Sequence, residues 1–164
     1  MNWIIEPLVQ KHNRNSFDCG QESLNDFLCK FAVQNAKKNI SRTFVLTAHN
    51  SVDIAGYYSL CSQSISFNSM PENFSNKLPR YPIPAAHIGR LAVDKNHQGQ
   101  GLGAMLLADA IKRICTISEQ IGINAVTVHA LNQTACEFYK AFGFIPFKDD
   151  RFHLFLPIKT IKSL

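Results

Sequence analysis

Leu91-Ala92-Val93-Asp94-Lys95-Asn96-His97-Gln98-Gly99-Gln100-Gly101-Leu102-Gly103 is the stretch from which the fold of this chain is read. An apolar strand, His87 to Asp94, runs into a turn with alternating glycines at 99, 101 and 103, and a long apolar-periodic helix opens directly behind it. Glycine reaches positive φ without a Cβ penalty and leaves backbone N–H groups uncovered at the positive end of a helix dipole. That combination is an anion site, suited to a pyrophosphate. A Walker A loop is excluded, because no Lys-Ser/Thr pair follows these glycines. A dinucleotide fingerprint can be forced as Gly99-x-Gly101-x-x-Ala104, but it wants an acidic residue about 20 positions on. Nothing acidic lies between Gln120 and Cys136, so that reading is rejected as well.

Working outward, the helix carries Leu102, Leu106, Leu107, Ala110, Ile111 and Ile114 on one side, and Gly122 is a natural stop. Asn124 to Ala130 reads as a buried strand, Asn132 to Phe142 as a short helix ended by Gly143, and Phe152 to Leu156 as a last strand. Upstream, Asn68 to Ala86 holds four prolines (Pro71, Pro79, Pro82, Pro84) and reads as a loop with one helical turn after Pro71. Arg42 to Ala48 and Ile54 to Phe67 flank His49-Asn50-Ser51-Val52-Asp53 as an antiparallel hairpin. Leu24, Phe27, Leu28 and Phe31 follow helical spacing, with Lys30, Gln34, Lys37 and Lys38 on the polar side. Trp3 to Leu8 is a first strand closed by Pro7. The order strand, helix, hairpin, strand, helix, strand, helix, strand predicts an α/β fold whose mixed sheet has a parallel crossover at its centre.

The 164 residues suit a single domain, and 46% hydrophobic against 18% charged residues excludes a disordered chain or a coiled coil. No apolar run approaches the ~18 residues of a membrane span, and Met1 to Glu6 lacks the basic start of a signal peptide. A cytoplasmic protein with no membrane association is expected. Five cysteines, with no C-x-x-C pair, give neither a zinc site nor a disulfide framework. The six histidines read as structural or surface groups, and no metal is expected. The net charge of +5 is compatible with an anionic partner, but mildly basic proteins are common.

Gln98-x-x-Gly101-x-Gly103 resembles the acetyl-CoA loop of the GNAT superfamily of N-acyltransferases. The resemblance implies that backbone amides at Gln98, Gly99, Gly101, Leu102 and Gly103 hold the CoA pyrophosphate. It implies too that Leu91-Ala92-Val93 splays from its neighbouring strand and pairs with the pantetheine arm. The fold expected is then the GNAT fold, a mixed, mostly antiparallel sheet with central splayed parallel strands and flanking helices. Asn132-x-x-Ala135-x-x-Phe138-Tyr139-Lys140-x-Phe142-Gly143-Phe144 resembles the last motif of the family. By that resemblance Asn132 contacts the CoA arm and Tyr139 protonates the departing thiolate. A phenol with pKa of about 10 is a proton donor at neutral pH. Taken alone, Tyr139 fits a core aromatic on an amphipathic helix equally well.

The opening Phe17-Asp18-Cys19-Gly20-Gln21-Glu22-Ser23-Leu24-Asn25-Asp26-Phe27-Leu28 resembles the toxin branch of these enzymes. So do Gln34-Asn35, Arg42-Thr43-Phe44-Val45, Ile88-Gly89-Arg90-Leu91-Ala92-Val93-Asp94 and Val128-His129-Ala130-Leu131. What this implies is transfer of acetyl from acetyl-CoA to the α-amino group of aminoacyl-tRNA, a block of translation, a ribbon-helix-helix antitoxin and a homodimer. Acetyl transfer needs a neutral amine, an aligned thioester, a stabilised oxyanion and a protonated leaving sulfur. A backbone N–H between Leu91 and Val93 could serve the oxyanion, and no general base is assigned. Lys30, Lys37, Lys38, Arg42, Arg80 and Arg90 are candidates for tRNA phosphates, although scattered lysines usually form a solvated face and Arg90 could be structural. Transfer to a small-molecule or protein amine, and a non-catalytic CoA binder, are the alternatives.

Overall fold

The computed structural model describes residues 2–163. Its strands are β1 (Trp3–Pro7), β2 (Arg42–Ala48), β3 (Ile54–Ile65), β4 (Ile83–Val93), β5 (Ala125–His129), β6 (Ile145–Pro146) and β7 (His153–Pro157). They form one seven-stranded sheet in the order β1-β2-β3-β4-β5-β7-β6. β4 and β5 are parallel, joined by helix α4 (Leu102–Ile117), whereas β1–β2, β2–β3, β5–β7 and β6–β7 are antiparallel. The remaining helices are α1 (Glu22–Asp26), α2 (Ala32–Lys37), α3 (Glu72–Ser75), α5 (Gln133–Ala141) and α6 (Ile158–Lys162). The element order predicted the mixed sheet with its central parallel pair, and the resemblance its mostly antiparallel character. No helix among the described residues is long and apolar enough to cross a membrane.

The chain divides into two compact units. The first comprises the residues up to Cys61 together with Gly89–Lys112, and the second Ser62–Ile88 with the residues from Arg113 onward. In the first, Phe17, Phe27, Leu28, Ala32, Val45, Ile54, Tyr57 and Ala92 form the core. Gly56 lets α4 lie close on β3, since a Cβ there would stand 2.9 Å from Leu106 Cδ1 and 3.0 Å from the Ala92 carbonyl. The helix expected around Leu24 to Phe31 is interrupted: Phe27–Phe31 is a π-helical turn, in which the Ala32 N–H donates to the Phe27 carbonyl. The wider turn puts Ala32, fully buried, where the 3.6-residue period puts Phe31, which is instead 48% exposed.

In the second unit Ile65, Met70, Ile83, Ala85, Ala125, Phe147 and Phe155 form a separate core. The proline-rich stretch contains the expected helical turn, α3, directly after Pro71, preceded by a 3-10 turn at Phe67–Ser69. It ends earlier than the sequence suggests, because β4 begins at Ile83 and not at His87. Ile83 and Ala85 are buried on either side of exposed Pro84, whose carbonyl accepts the Asn124 N–H. Two elements went unread: β6 is two residues long and shows no alternation, and α6 is a single turn after Pro157.

Candidate functional site

In the first unit the glycine turn is fixed by the loop that precedes α1. Asp94, 6% exposed, accepts from the Asp18 N–H at 3.0 Å and from the Asn96 N–H at 2.9 Å. The Lys95 N–H donates to the Asp18 carbonyl at 2.8 Å, and its ammonium lies 2.9 Å from the Asp18 carboxylate. Asp18 also accepts from the Gly20 N–H and from Asn25 Nδ2, each at 2.9 Å, while Asn25 Oδ1 accepts from the Cys19 N–H. The Lys95 ammonium, together with these two donors, pulls the Asp18 pKa down to about 2. Gln98 completes the knot: its Nε2 donates to the carbonyls of Cys19 at 3.1 Å and Val93 at 2.9 Å.

The side chain of Gln98 is thus structural, which leaves its backbone for any ligand. Gly99 and Gly101 have φ of +78° and +79°, and no atom lies within 4 Å of where a Cβ would stand on either. Leu102 opens α4 with its side chain buried, so only its N–H is presented. The turn is therefore an open backbone surface at the N-terminus of a sixteen-residue helix, which fits an anionic pyrophosphate. Leu91, Ala92 and Val93 lie at the end of β4 in the same unit, Ala92 in the core and Leu91 and Val93 half-buried.

The second unit carries the other two predicted residues. Exposed Asn132 caps α5, its Oδ1 accepting from the Ala135 N–H at 2.9 Å. At the other end the Phe144 N–H donates to the Tyr139 carbonyl and the Gly143 N–H to the Lys140 carbonyl. With Gly143 at φ +96° this is a Schellman cap, and its apolar contact is Tyr139 on Phe144 at 5.6 Å between ring centroids. The "GF" turn therefore fixes the tyrosine ring. Tyr139 is 7% exposed, and burial pushes its phenol up to about 12, so that it is a proton donor across the neutral range. Its hydroxyl makes no hydrogen bond among the described residues.

The basic candidates are all exposed, but several are engaged. Lys30 pairs with Asp26 one turn away at 3.3 Å. Arg42 caps the end of α2, its guanidinium donating to the Ala36 carbonyl at 2.9 Å and Asn39 Oδ1 at 2.6 Å. Arg90 lies 3.9 Å over the Phe27 ring, a stacked cation on an exposed strand position and not the buried charge that its apolar neighbours suggest. Arg80 sits in the second unit, 5.8 Å from the Phe67 ring centroid. Lys37 and Lys38 make no such contact among the described residues.

Sequence reading missed two features. The Asp18–Asp94 hydrogen bond, which Asn25 braces through Asp18, joins residues 76 apart in the chain, and its only trace was the composition of the opening motif. The histidines, read as scattered, include three that meet: His87, His129 and His153. Among the described residues no group of His, Cys, Asp and Glu side chains could hold a metal ion.

Residues 16–154 match the acetyltransferase (GNAT) domain family. A tRNA-acetylating toxin of Mycobacterium tuberculosis is 39% identical over 149 residues, covering 91% of this chain and 88% of that protein. Among solved structures, AtaT complexed with acetyl-methionyl-tRNAfMet superposes with a TM-score of 0.92 at 36% identity, covering 99% of this chain and 98% of that one. A tyrosine-to-phenylalanine variant of AtaT, bound to the C-terminus of the antitoxin AtaR and acetyl-CoA, superposes at 0.84 with 34% identity, covering 99% and 98%.

Proposed function

The chain belongs to the GNAT acetyltransferase family, and we propose that it transfers acetyl from acetyl-CoA to the α-amino group of aminoacyl-tRNA, blocking translation as a toxin. The observation that carries this reading is the near full-length similarity to a tRNA-acetylating toxin and to AtaT with its acetylated tRNA. The whole chain, 1–164, acts as one acetyltransferase domain in the cytoplasm, where charged tRNA is found. An antitoxin is its inhibitor, a reading supported by the AtaT–AtaR complex; that this antitoxin is of the ribbon-helix-helix class and that the enzyme is a homodimer follow from the resemblance of the opening motif to the toxin branch.

Each residue has a role on its own unit. Backbone N–H groups from Gln98, Gly99, Gly101, Leu102 and Gly103 hold the pyrophosphate, with the positive φ values turning them outward. Leu91 to Val93 offer backbone to the pantetheine arm, and one of their N–H groups supports the oxyanion. Asn132 keeps its amide nitrogen for the same arm while its oxygen caps α5. Tyr139 gives its proton to the departing sulfur; a phenol that stays neutral to about 12 is loaded for that step at physiological pH. Lys37 and Lys38 are the cations most available to tRNA phosphates, while Lys30, Arg42 and Arg90 contribute from positions already braced against the protein.

The test is labelled acetyl-CoA with purified protein and a panel of charged tRNA, deacylated tRNA and free amines. Label on charged tRNA alone, lost with Tyr139→Phe, supports acceptor and acid together. Label on free amines or protein but not on tRNA removes the toxin reading and keeps the acetyltransferase.

A further inference from the structure

Successive side chains of β2 face opposite sides of the sheet. Phe44 stacks on Tyr58, whose hydroxyl donates to Asp109 of α4, whereas Val45 lies in the core with Phe27, Leu28 and Ala32, on the side that α2 covers. Strand alternation puts Thr43 on the side of Val45. Thr43 is 5% exposed, and its Oγ1 has no hydrogen-bond partner among the described residues. Buried hydroxyls in folded proteins are nearly always bonded, so one left over beside a cavity calls for a reason.

Thr43 lines a cavity of about 440 Å³ in the first unit. The walls are apolar: Leu8 and Val9 follow β1, and Val33 and Ala36 belong to α2. Lys37 and Arg42, both exposed, line it as well. Neither is paired with a carboxylate among the described residues. The Arg42 guanidinium gives one N–H to the Ala36 carbonyl and one to Asn39 Oδ1, which fixes it in place and leaves three of its five N–H groups. Among the described residues no carboxylate lines the cavity, and no residue of the glycine turn does.

We propose that this cavity binds a small amphiphilic carboxylate, its alkyl chain on Leu8, Val9, Val33 and Ala36 and its head on Lys37, Arg42 and the Thr43 hydroxyl. The hydroxyl donates to a carboxylate oxygen, the bond it lacks within the protein, and the two cations match the negative charge. An alkylammonium would meet two like charges. A volume of a few hundred Å³ is that of a small-molecule site, whereas a docked helix needs a groove several turns long. The site stands on this geometry whatever the acetyl acceptor is, and shares with the tRNA reading only the cations Lys37 and Arg42.

The experiment titrates the full chain with octanoate, followed by methyl resonances and by calorimetry. The expected result is shifts at the methyls of Leu8, Val9, Val33 and Ala36, with binding about fourfold tighter for each methylene from butanoate to octanoate. Octylamine, with the same chain and the opposite charge, should bind about tenfold more weakly or worse. Thr43→Val keeps the shape and removes the hydroxyl. Octanoate should then bind about tenfold more weakly, while the thermal midpoint of the free protein holds or rises because no polar atom is left unpaired. Ala36→Trp fills the cavity and should abolish the shifts; if that variant fails to fold, Thr43→Val decides. Octanoate that moves none of these methyls at millimolar concentration overturns the proposal. So does octylamine binding as tightly as octanoate, or Thr43→Val binding octanoate as tightly as wild type. Shifts at the same methyls from an apolar peptide with a carboxylate end, and none from octanoate, overturn the small-molecule ligand and make the groove a docking face for a protein.

Discussion

Around Gln98 to Gly103 the side chains hold the protein together and the backbone is left for a ligand. Around α5 the backbone bonds are closed by the helix and its cap, and a side chain is left. In the first region Asp94, Lys95 and Gln98 are tied to the Asp18–Asn25 loop, and the exposed atoms are peptide N–H groups at glycines of positive φ. In the second, Asn132 and the Schellman cap close both helix ends, and Tyr139 carries a hydroxyl with no hydrogen-bond partner among the described residues. Binding an anion needs several fixed dipoles, which backbone supplies; moving a proton needs one titratable atom, which only a side chain supplies. The two regions should therefore fail differently when mutated.

The largest expected effect is on chemistry in the second region. Tyr139→Phe keeps the ring contact with Phe144 and removes the proton, so kcat in the labelled-acetyl assay should fall by about 10²- to 10⁴-fold with acetyl-CoA affinity unchanged. Because the phenol holds its proton to about 12, wild type should show no loss from its ionisation between pH 7 and 10. A drop in affinity instead would assign Tyr139 to binding.

Gly101→Glu should do the reverse in the first region. It forces a side chain into positive φ and a negative charge into the anion cradle, and calorimetry should find acetyl-CoA binding weakened by about 10- to 100-fold. Unchanged affinity would remove the glycine turn from the cofactor site.

Asp94→Ala tests the knot behind the turn. Leaving the Asp18 and Asn96 N–H groups unpaired should cost about 1–3 kcal/mol, read as a lower midpoint in urea. An unchanged midpoint would mean that the turn stands without the Asp18 loop.

Gly143→Ala should cost about 1 kcal/mol, because an L residue at φ +96° is strained. It should also lower kcat by loosening Tyr139, while its counterpart Gly99→Ala should lower affinity.

The smallest effect concerns pH. Asp18 has a depressed carboxyl pKa in the folded state, so its stabilisation is present above the ordinary carboxylate range and is lost as pH falls through about 2. The stability difference between wild type and Asp18→Asn should therefore be constant from pH 7 to about 5 and shrink below about 4.

The long elements were legible because period and punctuation agree in them. α4 has buried residues at 102, 106, 107, 110 and 114, and β2 and β3 flank a turn with Asn50 at φ 63°. The π turn was invisible, since one wide turn leaves residue types unchanged and only shifts which one faces the core: Ala32 in, Phe31 out. The start of β4 was obscured by Pro82 and Pro84, whose missing N–H argues against a strand until alternate burial of Ile83 and Ala85 is seen.

The sequence by itself determined the strand–glycine turn–helix, the parallel crossover and the Gly143 stop, because backbone conformation and hydrophobic period are local properties written in adjacent residues. Tertiary structure alone decided which polar side chains meet. Asp94 reaches Asp18, Gln98 reaches Cys19, Thr127 bridges Gln63 and His87, and Arg90 rests on Phe27. Those contacts depend on how distant segments pack, and a hydrogen bond or a stacked cation leaves no period in the chain from which to read it.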